Sequence, residues 1–308
     1  MKENPKVAVL LAAYNGMRWV DQQIDSIFAQ LGVSVTLFVS VDCSQDGTEL
    51  HLNHLEKLNP AIVVLPCGER FGGAAKNFFR LIRDVDFSDF DYISLADQDD
   101  IWNDNKLINA ISVIEQNSVD AYSSNVTAFW ENGRQSLINK AQTQQKYDFL
   151  FEAAGPGCTY VLTTKLAIDI KACMNLHWAE LQSVNLHDWF VYAFARANGY
   201  VWFIDPNPSM LYRQHSSNQV GVNSGWKAFH YRFNKLANGW GLEQALKIAK
   251  IIGIKKSAFV QSWSSLTFFS IIKLSFKAYD CRRRIVDKIV FMILCWVIAF
   301  RRDKKCNH

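Results

Sequence analysis

Tyr92-Ile93-Ser94-Leu95-Ala96-Asp97-Gln98-Asp99-Asp100-Ile101-Trp102 is the stretch on which the reading of this chain turns. A short apolar run ends abruptly in acidic residues, so a strand buried in a core delivers carboxylates to the edge of that core. Asp97 and Asp99, at i and i+2 just off the strand end, can approach one hard divalent cation. Such a cation keeps waters and takes the oxygens of a diphosphate. A solvated acidic turn or a helix cap is the plain alternative. The buried strand before the acids, the third acid Asp100 and Trp102 behind it favour the cation reading.

Working outward, the segments on the N-terminal side alternate in period. Val7–Ala13, Val35–Val41, Ala61–Leu65 and Asp91–Ala96 read as strands. Residues 17–30, Asp46–Leu58 and 74–84 read as helices, the first with Trp19, Ile24, Ile27, Phe28 and Leu31 near one face. Strands alternating with helices predict an α/β fold with a mostly parallel sheet, whose ligands bind beyond the carboxyl ends of the strands. Those ends carry Tyr14-Asn15-Gly16, Asp42 and Asp97-Gln98-Asp99-Asp100. Further on, Val119–Val126, Cys158–Leu162 and Tyr200–Ile204 read as strands. A helix opens near Asp188, and helical periodicity dominates from Trp226.

The chain has 308 residues, 49% of them hydrophobic and 20% charged, enough to bury a core and too apolar for disorder. Seven scattered cysteines without a C-x-x-C pair argue against a disulfide framework or structural zinc and suit a reducing compartment. No signal peptide is read at the N-terminus. The charge is split: residues 1–225 hold 16 Lys and Arg against 25 Asp and Glu, while residues 226–308 hold 17 against 4. The polar stretch Ser216-Ser217-Asn218-Gln219 reads as a loop, with a boundary near Gly225. The expected units are an α/β body over 1–225 and a helical, basic and apolar extension over 226–308.

Asp42 closes the second strand and can accept hydrogen bonds from a nucleobase or a ribose hydroxyl. Asp46 reads as a helix N-cap and Gly47 as a turn residue. Arg70-Phe71-Gly72-Gly73 is not G-x-G-x-x-G and no P-loop lysine pattern follows, which excludes the common dinucleotide and kinase motifs. Asp188, opening a helix, is either a cap or a carboxylate placed for proton transfer. Arg213 can pair with phosphate oxygens as a charge-assisted fork, and neutral His215 can ligate a metal.

The YNG after strand one, the D-x-S-x-D-G-T after strand two and the L-A-D-Q-D-D-x-W after strand four resemble family 2 glycosyltransferases of the GT-A fold. So do Gly155-Pro156-Gly157-Cys158-Thr159, His187-Asp188-Trp189 and Tyr212-Arg213-Gln214-His215, in consistent order over roughly residues 5–221. Within that family the chain is most similar to bacterial rhamnosyltransferases of O-antigen or cell-wall polysaccharide synthesis. The resemblance implies a GT-A nucleotide-binding sheet and an inverting, metal-dependent transferase. Ala13, Tyr14 and Asp42 would line the nucleotide, Asp97 and Asp99 would hold Mg2+ or Mn2+ on the diphosphate, and His215 would ligate metal or diphosphate. Asp188 would be the base. It further implies dTDP-L-rhamnose as donor, with a UDP-hexose or UDP-N-acetylhexosamine as the alternative, and a lipid-linked saccharide as acceptor. The second strand departs from the family pattern, which often ends in two acids, by carrying Val41 before Asp42; that bears on base preference. The rivals from other classes are a non-catalytic nucleotide-sugar-binding subunit and a nucleotidyltransferase or phosphatase.

Ile289–Phe300 is twelve apolar residues flanked by Arg282-Arg283-Arg284 and Arg301-Arg302. About 20 are needed to cross a bilayer as a helix. A helix lying on an anionic membrane surface is expected, with a buried core helix as the alternative. That places the protein in the cytoplasm, peripheral on the inner face of the membrane. No nucleic-acid motif accompanies the charge. Oligomeric state is left open.

Overall fold

The computed structural model describes residues 3–67, 70–215 and 237–306. The boundary near Gly225 and the Ser216–Gln219 loop lie outside the described residues. The first part follows the expected alternation: β1 (Lys6–Ala13), α1 (Val20–Phe28), β2 (Ser34–Val41), α2 (Thr48–Leu58), β3 (Ile62–Val64), α3 (Ala74–Asp84) and β4 (Tyr92–Asp97). These strands pair in parallel, with β1 between β2 and β4. Their continuous apolar sequences are explained by burial on both faces: Val7 to Leu11 are all fully buried. Leu31, expected on the face of α1, is exposed because that helix ends at Phe28.

The chain then builds β5 (Ile101–Trp102), α4 (Lys106–Asn117), β6 (Ala121–Ser124), β7 (Val126–Phe129), β8 (Gln135–Ile138) and β9 (Val161–Thr163). After them come α5 (Thr164–Leu176), α6 (Trp178–Leu181), α7 (His187–Ala197), β10 (Trp202–Asp205) and β11 (Met210–Arg213). The main sheet runs β10-β6-β9-β4-β1-β2-β3, and a smaller one runs β5-β11-β7-β8. Two expectations change here. The single strand over Val119–Val126 is broken at Asn125, which is buried and bonds three partners: Nδ2 donates to the Pro206 carbonyl, and Oδ1 accepts from Lys140 N and Ala141 N. The break sends β6 and β7 into different sheets. The strand expected over Cys158–Leu162 begins as a 3-10 turn, Gly157–Thr159, and only β9 is extended. It runs antiparallel to both β4 and β6, because its loop enters from the carboxyl end of the sheet.

The C-terminal helices are α8 (Trp240–Ile251), α9 (Ala258–Gln261), α10 (Phe268–Ser275), α11 (Ala278–Cys281) and α12 (Ile285–Cys306). They share one apolar cluster with the sheet, which runs from Leu10 and Leu95 through Phe190 to Leu242, Trp263, Ile271 and Ile298. Cys295, Ile298 and Ala299 of α12 are buried, while Ile289, Val290, Ile293, Trp296 and Phe300 are exposed. The core-helix alternative therefore describes one face of α12, and the other face is exposed. No helix among the described residues is long and apolar enough to cross a membrane.

Candidate active site

The carboxyl ends of β4, β1 and β2 lie side by side, with Ala12 opposite Asp97 and Ala13 opposite Val41. The loops that leave them are bonded to one another. Asn15 N donates to Ser44 Oγ at 3.0 Å, Gly16 N to Thr48 Oγ1 at 2.8 Å and Met17 N to Asp46 Oδ2 at 3.0 Å, while Gln45 N donates back to Asn15 Oδ1 at 2.8 Å. The D-x-S-x-D-G-T spacing thus presents three side-chain oxygens to successive amides of the first loop. Asp46 also accepts from Thr48 N, but the cap position itself is held by Gly47.

Gln98, the middle residue of D-Q-D, joins the third loop. Its Oε1 accepts from Tyr14 N at 2.7 Å and its Nε2 donates to Tyr14 O at 2.8 Å. A side chain at Gly16 would place Cβ 2.4 Å from that Oε1 and would push Gln98 off Tyr14. Tyr14 is left half-exposed at the mouth, and Ala13 is buried beneath it. Asp42 is buried and holds a loop: it accepts from its neighbour Cys43 N at 2.8 Å, from Phe71 N at 2.9 Å and from Gly72 N at 2.8 Å. The sequence offers this carboxylate to a nucleobase or a ribose hydroxyl; in the structure it also fastens the Arg70–Gly73 segment.

The acids gather at the end of β4. Asp97, Asp100 and Cys158 each offer a ligand atom, all within 4.8 Å of one another. Burial pushes the Asp97 carboxyl up to about 7, helped by Asp99 and then Asp188. Asp100 is fully buried; its Oδ1 accepts from Arg213 N at 3.0 Å and its Oδ2 has no hydrogen-bond partner. Burial, then Asp99 and Asp97, hold its pKa well above the carboxylate range. Two carboxylates raised by burial and by neighbouring acids, one with an orphaned oxygen, are a donor set that fits a hard divalent cation. Asp99 is oriented by His215, whose Nε2 lies 2.6 Å from Asp99 Oδ2 and whose ring stacks on Trp19 at 4.2 Å. His215 therefore meets the acid motif through Asp99.

Arg213 was read as a phosphate fork. The structure turns it inward: Nε donates to the Asp99 carbonyl at 2.7 Å and Nη2 to Gln22 Oε1 at 2.5 Å. The pairing of β11 with β5, Leu211 opposite Ile101, puts it under the acidic loop. Lys106 is the cation that the motif reading missed. It is buried 3.6 Å from the Trp102 ring centroid, and burial lowers its pKa to about 7 against the pull of Cys158 and Asp100. No spacing rule in the sequence marks it.

Asp188 lies in the first turn of α7 and faces the same cluster, since its charge helps raise Asp97. Burial pushes its own carboxyl up to about 6, against bonds from backbone N–H groups and the charge of Lys140. The approach of α7 to this point depends on Gly157, where a Cβ would sit 2.5 Å from His187 Nε2 and 3.2 Å from Asp188 Cβ. His187 stacks on Phe78 at 4.0 Å, and burial drops its pKa to about 3, so it is a neutral spacer at working pH. Asp97, Asp99 and Asp188 are thus brought together; Tyr14 and Asp42 flank them, and Arg213 and His215 support them from behind.

The profile of glycosyl transferase family 2 matches residues 8–165. The chain is 41% identical over 285 residues, 92% of its own length and 98% of the other's, to the dTDP-rhamnosyl transferase RfbG of Shigella flexneri. It is 23% identical over 165 residues, 53% of its length and 62% of the other's, to a UDP-Glc:alpha-D-GlcNAc-diphosphoundecaprenol beta-1,3-glucosyltransferase of Escherichia coli. Among solved structures it is similar to S. aureus TarS 1-349 in complex with UDP-GlcNAc, with a TM-score of 0.56 at 13% identity over 97% of this chain and 92% of that one. The mannosyltransferase PcManGT of Pyrobaculum calidifontis, with GDP-Man and Mn2+, superposes with a TM-score of 0.52 at 15% identity over 98% and 87%.

Proposed function

Because the chain belongs to glycosyl transferase family 2, we propose that this glycosyltransferase moves L-rhamnose from dTDP-L-rhamnose to a hydroxyl of a lipid-linked saccharide, with inversion at the anomeric carbon. The observation that carries the reaction is Asp188, a carboxylate held at the mouth of the acid cluster by the Gly157 contact. The high identity to a dTDP-rhamnosyl transferase along nearly the whole chain supports the donor. The acceptor class is supported by the relative whose acceptor is a diphosphoundecaprenol-linked sugar.

Ala13 and Tyr14 would line the nucleotide, with Asp42 keeping the Arg70–Gly73 segment closed along its edge. Asp97, Asp99 and Asp100 would hold Mg2+ or Mn2+, which when bound supplies positive charge for the leaving diphosphate. His215 and Arg213 fix Asp99 in place for this duty. Asp188, ionised at neutral pH, takes the proton of the acceptor hydroxyl. The freed oxygen forms its bond to the anomeric carbon as the bond to the diphosphate breaks on the opposite face, and dTDP leaves. The exposed apolar face of α12, with exposed Arg284 and Arg301 beside it, supports a place on an anionic lipid surface on the cytoplasmic side.

The test is nucleoside diphosphate release from dTDP-, UDP- and GDP-sugars with a lipid-diphosphate saccharide acceptor, in Mn2+ or in chelator. Metal-dependent release from dTDP-L-rhamnose alone, with an inverted anomeric signal in the product by NMR, is the expected result. A different preferred donor overturns the rhamnose assignment, and a retained anomer overturns the single displacement.

A further inference from the structure

Buried and partly buried cations in this protein are generally spent on a partner. Arg80 bonds Ser40 Oγ and the Pro66 carbonyl, Arg196 and Arg283 hold Asp148, Arg213 holds the Asp99 carbonyl, and Lys106 faces Ser94 Oγ and a tryptophan ring. Lys140 differs. It is partly buried, and among the described residues its ammonium makes no hydrogen bond or ion pair.

Its position is built. Asn125 Oδ1 clamps the backbone N–H groups of Lys140 and Ala141 at 2.6 and 3.1 Å, and Asn125 is itself tied to the Pro206 carbonyl. Lys140 packs at one end of the Gly155-Pro156-Gly157 loop, where a Cβ on Gly155 would meet its Cβ at 3.7 Å; the other end of the loop packs on Asp188. Glu152 and the start of the tail, Arg282, Arg283 and Asp287, stand near enough to act on its charge, as its charge acts on Asp188. Arg283 and Glu152 already pair with each other, and Arg282 is shared between Glu152 and Asp287. The exposed apolar face of α12 begins two residues beyond Arg283, at Ile285. An unpartnered ammonium thus sits near both the proposed base and the start of an apolar face.

We propose that Lys140 binds a phosphate oxyanion of the acceptor, the group that joins the saccharide to its lipid, beside the hydroxyl that Asp188 deprotonates. This rests on the reaction proposed above and names a part of its acceptor site. An oxyanion suits the position better than a neutral hydroxyl, because charge-assisted hydrogen bonds are roughly twice as strong and burial already strips the ammonium of part of its water.

The test uses the full chain saturated with dTDP and titrated calorimetrically with decyl diphosphate, with neutral decyl glucoside as the control. Lys140→Met should weaken decyl diphosphate binding by about ten- to a hundredfold and leave decyl glucoside and dTDP unchanged. Lys140→Arg should keep most of the affinity. No binding of decyl diphosphate by the parent chain, no loss in Lys140→Met, or equal loss for both ligands overturns the proposal. Phosphatidylglycerol vesicles distinguish the other source of phosphate: weakened vesicle binding by Lys140→Met would make the group a membrane contact and overturn the acceptor role. Unchanged dTDP affinity keeps a failure here separate from failure of the donor assignment.

Discussion

As the proposed base, Asp188 would have to be an anion where burial disfavours one. Its pKa of about 6 lies above the ordinary 3.8, so the charged form costs folding energy that is absent below about pH 4 and complete above about pH 6. Asp188→Asn should therefore lower turnover by about 10²–10⁴ with donor affinity intact, and should raise stability near neutral pH by ~1–2 kcal/mol. Denaturant melts at about pH 7.5 and pH 4 check this, since the gain must vanish at the lower pH; an equal gain at both would refute the burial argument. In the parent enzyme kcat/KM should fall as pH drops through about 6, read from an initial-rate profile. Gly157→Ala should damage turnover more than global stability, because the added methyl meets His187 and Asp188 at 2.5 and 3.2 Å. A variant with parental kcat would show that α7 can retreat without consequence. The acids at 97, 99 and 188 were legible because each stands at a strand end or helix start. The roles of Gln98 and Lys106, and the bond of Asp100 to Arg213, were not, because the partners come from far along the chain and only the fold supplies them.

At the scale of elements, the first four strands were readable because burial on both faces writes an uninterrupted apolar run. The strands after β4 were harder. β6 and β7 look like one run until Asn125 spends its side chain on three backbone groups, and β9 is too short to announce its reversed direction. The stitch between the loops after β1 and β2 was visible as two motifs but not as one structure. Thr48→Val, which keeps the shape and removes the oxygen that accepts from buried Gly16 N, should cost ~1–3 kcal/mol in a urea melt. A loss below about 0.3 kcal/mol would mean that solvent reaches that amide after all. The strap from the tail is heavier. Arg283 is fully buried between Asp148, Glu152 and Tyr192, and it also donates to the Ala153 carbonyl at 2.6 Å. Arg283→Met strands the charge of Asp148 beside Arg196 alone and should cost ~3–5 kcal/mol.

For the whole molecule, the charge split along the sequence separates a body from a tail, yet the apolar core does not. Deleting residues 282–308 removes Cys295, Ile298 and Ala299 from that core, so the truncated chain should be insoluble rather than released from membranes. Ile289→Glu with Ile293→Glu alters only the exposed face. It should abolish sedimentation with anionic vesicles while the thermal melt stays within a few degrees. Retained sedimentation would move the lipid contact elsewhere. Sequence periodicity could not separate the two faces of α12, because an all-apolar run has no polar residues to mark which side meets solvent.

Arg283 also sets a clock. A ribosome makes this chain from the N-terminus, and the sheet can assemble while the tail is still inside the exit tunnel. Until Arg283 emerges, however, Asp148 and Tyr192 have Arg196 but not their second cation, and the tail's share of the apolar cluster is missing. The buried ion pairs beside the helix that carries Asp188 are thus completed only once residue 283 has left the ribosome.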